Sequence, residues 1–381
     1  MTILPLLALV ALQTNPDLER LATAQQLIDG GRCSSAIPIL KELRARHPET
    51  ASLTYGLGRC YFETEDYAAA VATLRQAARM LPKSAEVRFF LGSALGVGGN
   101  IPEAIPELRT AMELDPKFQP AYRAFGMFRV QQGLFEKDAL QALETAIRLD
   151  PRDARALYWM GELHRATGDA GAARRYFERA QKMDPEDPLV RLGLGRVSLD
   201  DGEVDQALAD FDAVLKIAPG LVPALLGRAR ALYYQGRAEQ ALAPAEAARK
   251  GAGTFEDQRG SVWILCRIYR SLGRDAEARD AERQLKGMED NLSSELERIR
   301  ELSGQAARLE AEGKPAQAVP LLEALLKIRE TSEVQTRLGD AYLKLGRPAD
   351  AERCYVRASR IGPLSDELKR RLERAAAASG R

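Results

Sequence analysis

Residues 51–84 read ASLTYGLGRCYFETEDYAAAVATLRQAARMLPKS, and Leu57, Gly58, Tyr61, Ala70, Leu74, Ala77 and Pro82 form the skeleton of that stretch. The same spacing returns 34 residues later as Leu91, Gly92, Leu95, Ala104, Leu108, Ala111 and Pro116. It returns again as Met160, Gly161, His164, Ala173, Phe177, Ala180 and Pro185. A fixed period of this length is read before any local propensity, because each unit is one supersecondary element that needs its neighbours.

The residue types explain why the unit makes two helices. Gly58 and Ala70 are small where two backbones must approach, and Leu57, Tyr61 and Leu74 fill the space beside them. Gly-containing turns such as Thr167-Gly168 divide the unit, and Pro82, Pro116 and Pro185 close it. One such hairpin cannot bury its apolar face alone, so neighbours must stack.

This skeleton resembles the tetratricopeptide repeat, a helix–turn–helix unit of the same length. The resemblance implies an all-α fold, a right-handed α-solenoid of about ten repeats, with a concave wall built from the first helix of each unit. Residues 15–255 read as repeats one to seven. Residues 256–298 read as a degenerate repeat eight and a helical linker or helix extension, residues 299–365 as repeats nine and ten, and residues 366–381 as a capping helix. Repeat seven has Gly253 in place of the closing Pro, so Gly251–Asp257 is expected to be a soft joint.

The 381 residues carry 55 Lys and Arg against 54 Asp and Glu. That balance gives no global charge for nucleic acid or an anionic membrane to attract. Residues 1–14 begin with an apolar run too short to span a bilayer, which takes about 20 residues. The run suits the core of a secretory signal. The expectation is an exported or periplasmic protein if this leader is cleaved, a cytoplasmic one otherwise, and no membrane span in the mature chain.

No catalytic constellation stands out. The two histidines, His47 and His164, fall in different repeats, and no metal-ligand spacing occurs. We therefore expect no enzyme activity, no metal and no cofactor. The informative surface is the groove. The residue after the small one on successive first helices is Arg59, Ser93, Met127, Glu162, Arg196, Arg230 and Arg267. Aromatics share that helical stripe. Candidate ligand-binding residues are Tyr55, Arg59, Phe62, Tyr158, Trp159, Arg196, Arg230, Tyr233, Tyr234 and Arg267. Phe89, Phe90 and Trp263 read equally well as packing between repeats. Arginine and aromatic residues are what peptide-binding hot spots are made of.

The expected function is a non-catalytic scaffold that takes a protein or peptide segment, preferentially acidic, in its groove. Two other readings fit: an exported bacterial envelope subunit for assembly or secretion, and a targeting subunit for a separate enzyme. Chaperone-adaptor members of the resembled family hold a terminal carboxylate with Lys and Asn. Residues 55–59 and 89–93 contain neither, so that specificity is not expected. Finally, Cys33 opens one helix and Cys60 lies near the end of the next. Antiparallel packing brings them to one level, which makes them a candidate disulfide in an oxidising compartment.

Overall fold

The computed structural model describes residues 15–133, 137–361 and 366–379. The expected leader lies outside the described residues. Twenty α-helices and no strand occur among the described residues. The first eight are α1 (Asn15–Asp29), α2 (Cys33–Arg46), α3 (Ala51–Glu63), α4 (Tyr67–Met80), α5 (Ala85–Val97), α6 (Ile101–Leu114), α7 (Gln119–Gln131) and α8 (Lys137–Leu149). Then come α9 (Ala154–Ala166), α10 (Ala170–Met183), α11 (Pro188–Asp200), α12 (Val204–Ile217), α13 (Val222–Tyr234) and α14 (Ala238–Gly251). The last six are α15 (Phe255–Ser271), α16 (Asp275–Ala311), α17 (Pro315–Ile328), α18 (Ser332–Lys344), α19 (Pro348–Ile361) and α20 (Asp366–Ala378).

The period seen in the sequence has a direct packing cause. A Cβ built on Gly58 would lie 2.7 Å from Leu74 Cγ, so the leucine of α4 fills the space a side chain would take on α3. At Gly161 the same knob is Phe177, 2.6 Å from the built Cβ. The skeleton is thus a set of knobs on the second helix that sit over small residues on the first. Leu74, Leu108, Phe177, Phe211 and Tyr355 occupy this place and are fully buried.

Each hairpin turn needs a residue in the left-handed region. Nine of these turns use Gly, from Gly31 at φ 70° to Gly346 at φ 70°. The turn of repeat two uses Glu65 at φ 63°, the one non-glycine with positive φ among the described residues. A side chain costs about 1–2 kcal/mol in that region. Glu65 is exposed, so nothing about its packing would be lost on removal. We expect Glu65→Gly to stabilise the α3–α4 hairpin by about 1 kcal/mol, less the added freedom of glycine in the unfolded chain. Chemical denaturation read by amide exchange in α3 and α4 checks this. A loss of protection would mean the turn is not strained.

The helices fall into two compact units. One comprises the chain up to Gln132 together with Lys314 onward, and the other is Gly133–Gly313. In the first unit α19 lies against α6, where Arg357 Nη1 is 3.9 Å from Glu103 Oε1. The apolar face of α19 is covered in turn by α20, which buries Leu368 and Ala375.

The second unit contains a long helix. The stretch read as linker or extension is helical throughout, so α16 runs for 37 residues and joins the second helix of repeat eight to the first helix of repeat nine. Its buried residues, Ala278, Ala281 and Ala306, lie towards its two ends. Residues 289–298 are exposed without exception, including Leu292 and Leu296. The expected soft joint differs in kind. It is short, and Thr254 caps α15 by accepting from the Asp257 amide at 3.1 Å. A helix without packing is held only by its own marginal propensity. Limited trypsin digestion is therefore expected to cut first at Arg298 or Arg300. First cuts after Lys250, the tryptic site at the edge of Gly251–Asp257, would show that the connection, not the bare helix, opens more readily.

Candidate functional site

Of the expected groove residues, Tyr55, Arg59 and Phe62 belong to the first unit. Tyr55 is buried and its hydroxyl donates to Glu86 at 3.5 Å. Burial pushes both the Tyr55 hydroxyl and the Glu86 carboxyl above their ordinary ranges. The ring of Tyr55 meets Phe90 edge-on at 5.9 Å, and Phe62 meets Phe90 at 5.7 Å. Arg59 lies over Phe90 at 5.7 Å and faces Glu63 at 3.8 Å. Phe90 is thus the centre of a packed aromatic cluster. The cluster absorbs the faces that a ligand would otherwise cover. Beside it a cleft of about 880 Å³ opens at the joints between repeats, lined by Tyr55, Leu81, Pro82, Glu86, Leu114 and Phe118.

The remaining candidates belong to the second unit, where α9, α11, α13 and α15 pack in succession to make one wall. Tyr158 is buried against Phe177 and Trp159. Its burial pushes the phenol up and leaves it little surface to offer. Arg196 donates to Glu162 at 3.5 Å, and Arg165 reaches the same carboxylate at 3.1 Å. Glu162 holds on α9 the place that Arg196 holds on α11, so one repeat's acid satisfies the next repeat's base. Arg196 is thereby the least available of the four stripe arginines to an external carboxylate.

Arg230 and Arg267 are placed differently. Both lie over the ring of Trp263, the Arg230 guanidinium at 5.5 Å from its centre and that of Arg267 at 4.8 Å. Arg267 also lies over Tyr233 at 5.6 Å. A hydrogen bond with Tyr233 holds the Arg267 guanidinium above its usual range. Burial instead pulls Arg230 down, and its Nε is buried without a hydrogen-bond partner. Among the described residues neither arginine has an ion-pair partner. Guanidinium planes stacked on aromatic faces keep their N–H edges turned sideways, where a carboxylate can meet them.

Space adjoins this array on both sides. A cleft of about 520 Å³ is lined by Arg230, Tyr234, Arg259 and Trp263, together with the carboxylates Asp200, Glu256 and Glu289. Another of about 590 Å³ is lined by Tyr233, Trp263, Arg267 and Arg270. Arg270 is neutralised by Glu282, and Arg259 pairs with Glu256 at 2.9 Å. Tyr234 is 52% exposed, so its ring is free to cover a ligand.

Trp263, read from the sequence equally as a groove or a packing residue, is the ring that both arginines meet. Its stripe position, four residues before Arg267, matched a packing residue equally well. The usable signal was the neighbouring repeat, because Arg230 and Arg267 both meet Trp263 only when α13 and α15 lie side by side. His164 stacks on Tyr176 at 5.4 Å and serves the edge of its own hairpin. Among the described residues no group of three or more His, Cys, Asp or Glu could hold a metal ion. Among them no helix is long and apolar enough to cross a membrane.

Comparison with known proteins follows the same lines. A family model described as tetratricopeptide repeat matches residues 21–85, 129–188 and 160–222. A second model with that description matches 62–126 and 309–374, and the two together span well over half of the chain. Comparison with curated protein sequences finds no significant match. Among solved structures, a tetratricopeptide repeat protein from Parabacteroides merdae is similar with a TM-score of 0.53 at 18% identity, over 66% of this chain and 100% of that one. PilF of Pseudomonas aeruginosa is similar with a TM-score of 0.46 at 24% identity, over 54% of this chain and 91% of that one. Human IFIT1, a dimer with m7Gppp-AAAA, gives 0.49 at 18% identity over 88% of each chain. Such identities speak to the fold alone. With matching models over most of its length and a knob-over-glycine skeleton in its hairpins, the chain belongs to the tetratricopeptide repeat family.

Proposed function

We propose that this protein is a non-catalytic scaffold whose second unit binds an acidic protein segment across Trp263. The observation that carries the reading is the cluster of Arg230, Trp263 and Arg267, two arginines without ion-pair partners over the ring of one indole. Clefts on both sides give an extended segment room to pass. A carboxylate reaching Arg230 would also satisfy the buried Nε that has no partner. The wall is made of packed helices, so little conformational entropy is lost when a segment docks.

The test uses an array of synthetic peptides probed with the purified full chain. Acidic members are expected to bind. Counterparts with Asp→Asn and Glu→Gln replacements are expected to lose binding, and added salt should weaken it. Equal binding of acidic and amide-replaced peptides would overturn the assignment.

A further inference from the structure

The four cysteines are all buried, yet they do not share one situation. Cys266 packs with Val262 and Ala281, its sulfur 3.7 Å from the Ala278 carbonyl oxygen. Cys354 is buried on α19, far along the chain. Cys33 and Cys60 instead belong to one core cluster with Ile28, Leu40, Leu53 and Leu57. Cys33 is the first residue of α2, and Cys60 sits in the last turn of α3. The antiparallel packing of those two helices sets the sulfurs 2.7 Å apart. That is closer than two non-bonded sulfurs normally approach. Reaching a bond of about 2.05 Å requires only a sub-ångström shift of two side chains.

We propose that Cys33 and Cys60 form an intramolecular disulfide that ties the first repeat to the second when the chain folds in contact with a disulfide-bearing oxidant. The step is a double exchange. One thiol loses its proton to solvent, and its thiolate attacks a sulfur of the oxidant, expelling one reduced thiol. The second cysteine, also deprotonated, then displaces the other oxidant sulfur from the mixed disulfide. Two cysteine thiols are oxidised, one oxidant disulfide is reduced to two thiols, and the protons balance.

Burial determines when this happens. Loss of solvent pushes both thiols above their ordinary range, so the packed protein holds little thiolate. The exchange therefore belongs to folding, before α3 closes over Cys33. Once made, the bridge is shielded, because Cys60 is 0% and Cys33 is 5% exposed. The bridge spans a separation of 27 residues, and it restrains the unfolded end of the array.

The experiment refolds the full chain in a buffer of oxidised and reduced glutathione, then alkylates it under denaturing conditions. Two of the four thiols should be lost. Digestion should yield one linked peptide pair containing Cys33 and Cys60, with Cys266 and Cys354 alkylated. Amide exchange in α2 and α3 should be roughly a hundredfold slower in the bridged chain than in the reduced one. Cys266→Ser/Cys354→Ser keeps the pair and should give the same bridge. Four alkylated thiols, or a bridge through Cys266 or Cys354, would overturn the proposal. Because the readout is covalent, it is independent of whether any peptide binds at Trp263.

Discussion

Phe211→Ala is expected to destabilise the middle of the second unit by about 3–5 kcal/mol, the range for deleting a buried aromatic side chain. Phe211 is fully buried on α12. Its ring fills the space over two glycines at once. A Cβ built on Gly195 of α11 would lie 3.0 Å from the ring, and one on Gly227 of α13 would collide with it. Removing the ring leaves a void bounded on two sides by glycine backbone. Glycine has no side chain that can relax into such a space, so the loss should fall high in the range. Because repeat arrays need not unfold in one step, the readout is amide exchange in α11–α13 rather than a single melting temperature. Ile217→Ala is the control, since Ile217 on the same helix is 55% exposed. It should change stability by less than about 0.5 kcal/mol. A loss below about 1 kcal/mol for Phe211→Ala would mean the repeats do not interlock in this way.

Trp263→Ala is expected to weaken binding of an acidic peptide by at least about 30-fold, the equivalent of a hot spot worth 2 kcal/mol. The loss has two sources. The indole presents contact area to both adjoining clefts. It also lies under the guanidiniums of Arg230 and Arg267, and without it both regain rotamer freedom. Arg267→Lys separates charge from shape. It keeps the positive charge but loses the planar fork, so an intermediate loss with an unchanged salt slope is expected. Arg196→Ala serves as the comparison on the same wall. Its partner Glu162 is already shared with Arg165, so the effect on binding should be small. Peptide titration by fluorescence polarisation gives all of these values. If Arg196→Ala costs more than Trp263→Ala, the binding centre lies one repeat earlier than assigned here.

The turn of repeat two illustrates how far local patterning reads. The position of the turn follows from the spacing of Gly58, Ala70 and Pro82, and the helices end where that spacing places them. That a glutamate would occupy a left-handed conformation there does not follow, because nothing in residues 62–67 names the turn type. The closing hydrogen bond from the Asp66 amide to the Tyr61 carbonyl goes with it. The groove behaves similarly. Arg59, Arg196, Arg230 and Arg267 look equivalent along the chain, yet the first lies over Phe90, the second pairs with Glu162, and the last two share Trp263.

By itself the sequence determined the helical hairpins, their number to within the irregular stretch around α16, and the family. The reason is that each knob meets its glycine within one repeat or the next, so a periodic code of small and large residues carries the fold. The tertiary structure alone decided which charges pair with each other and which, among the described residues, do not. Those pairings join residues about one repeat apart, through side chains whose reach and direction depend on the packed helices. A one-dimensional pattern records that Arg230 and Trp263 are both present. Only the stacking of α13 on α15 puts one on the face of the other.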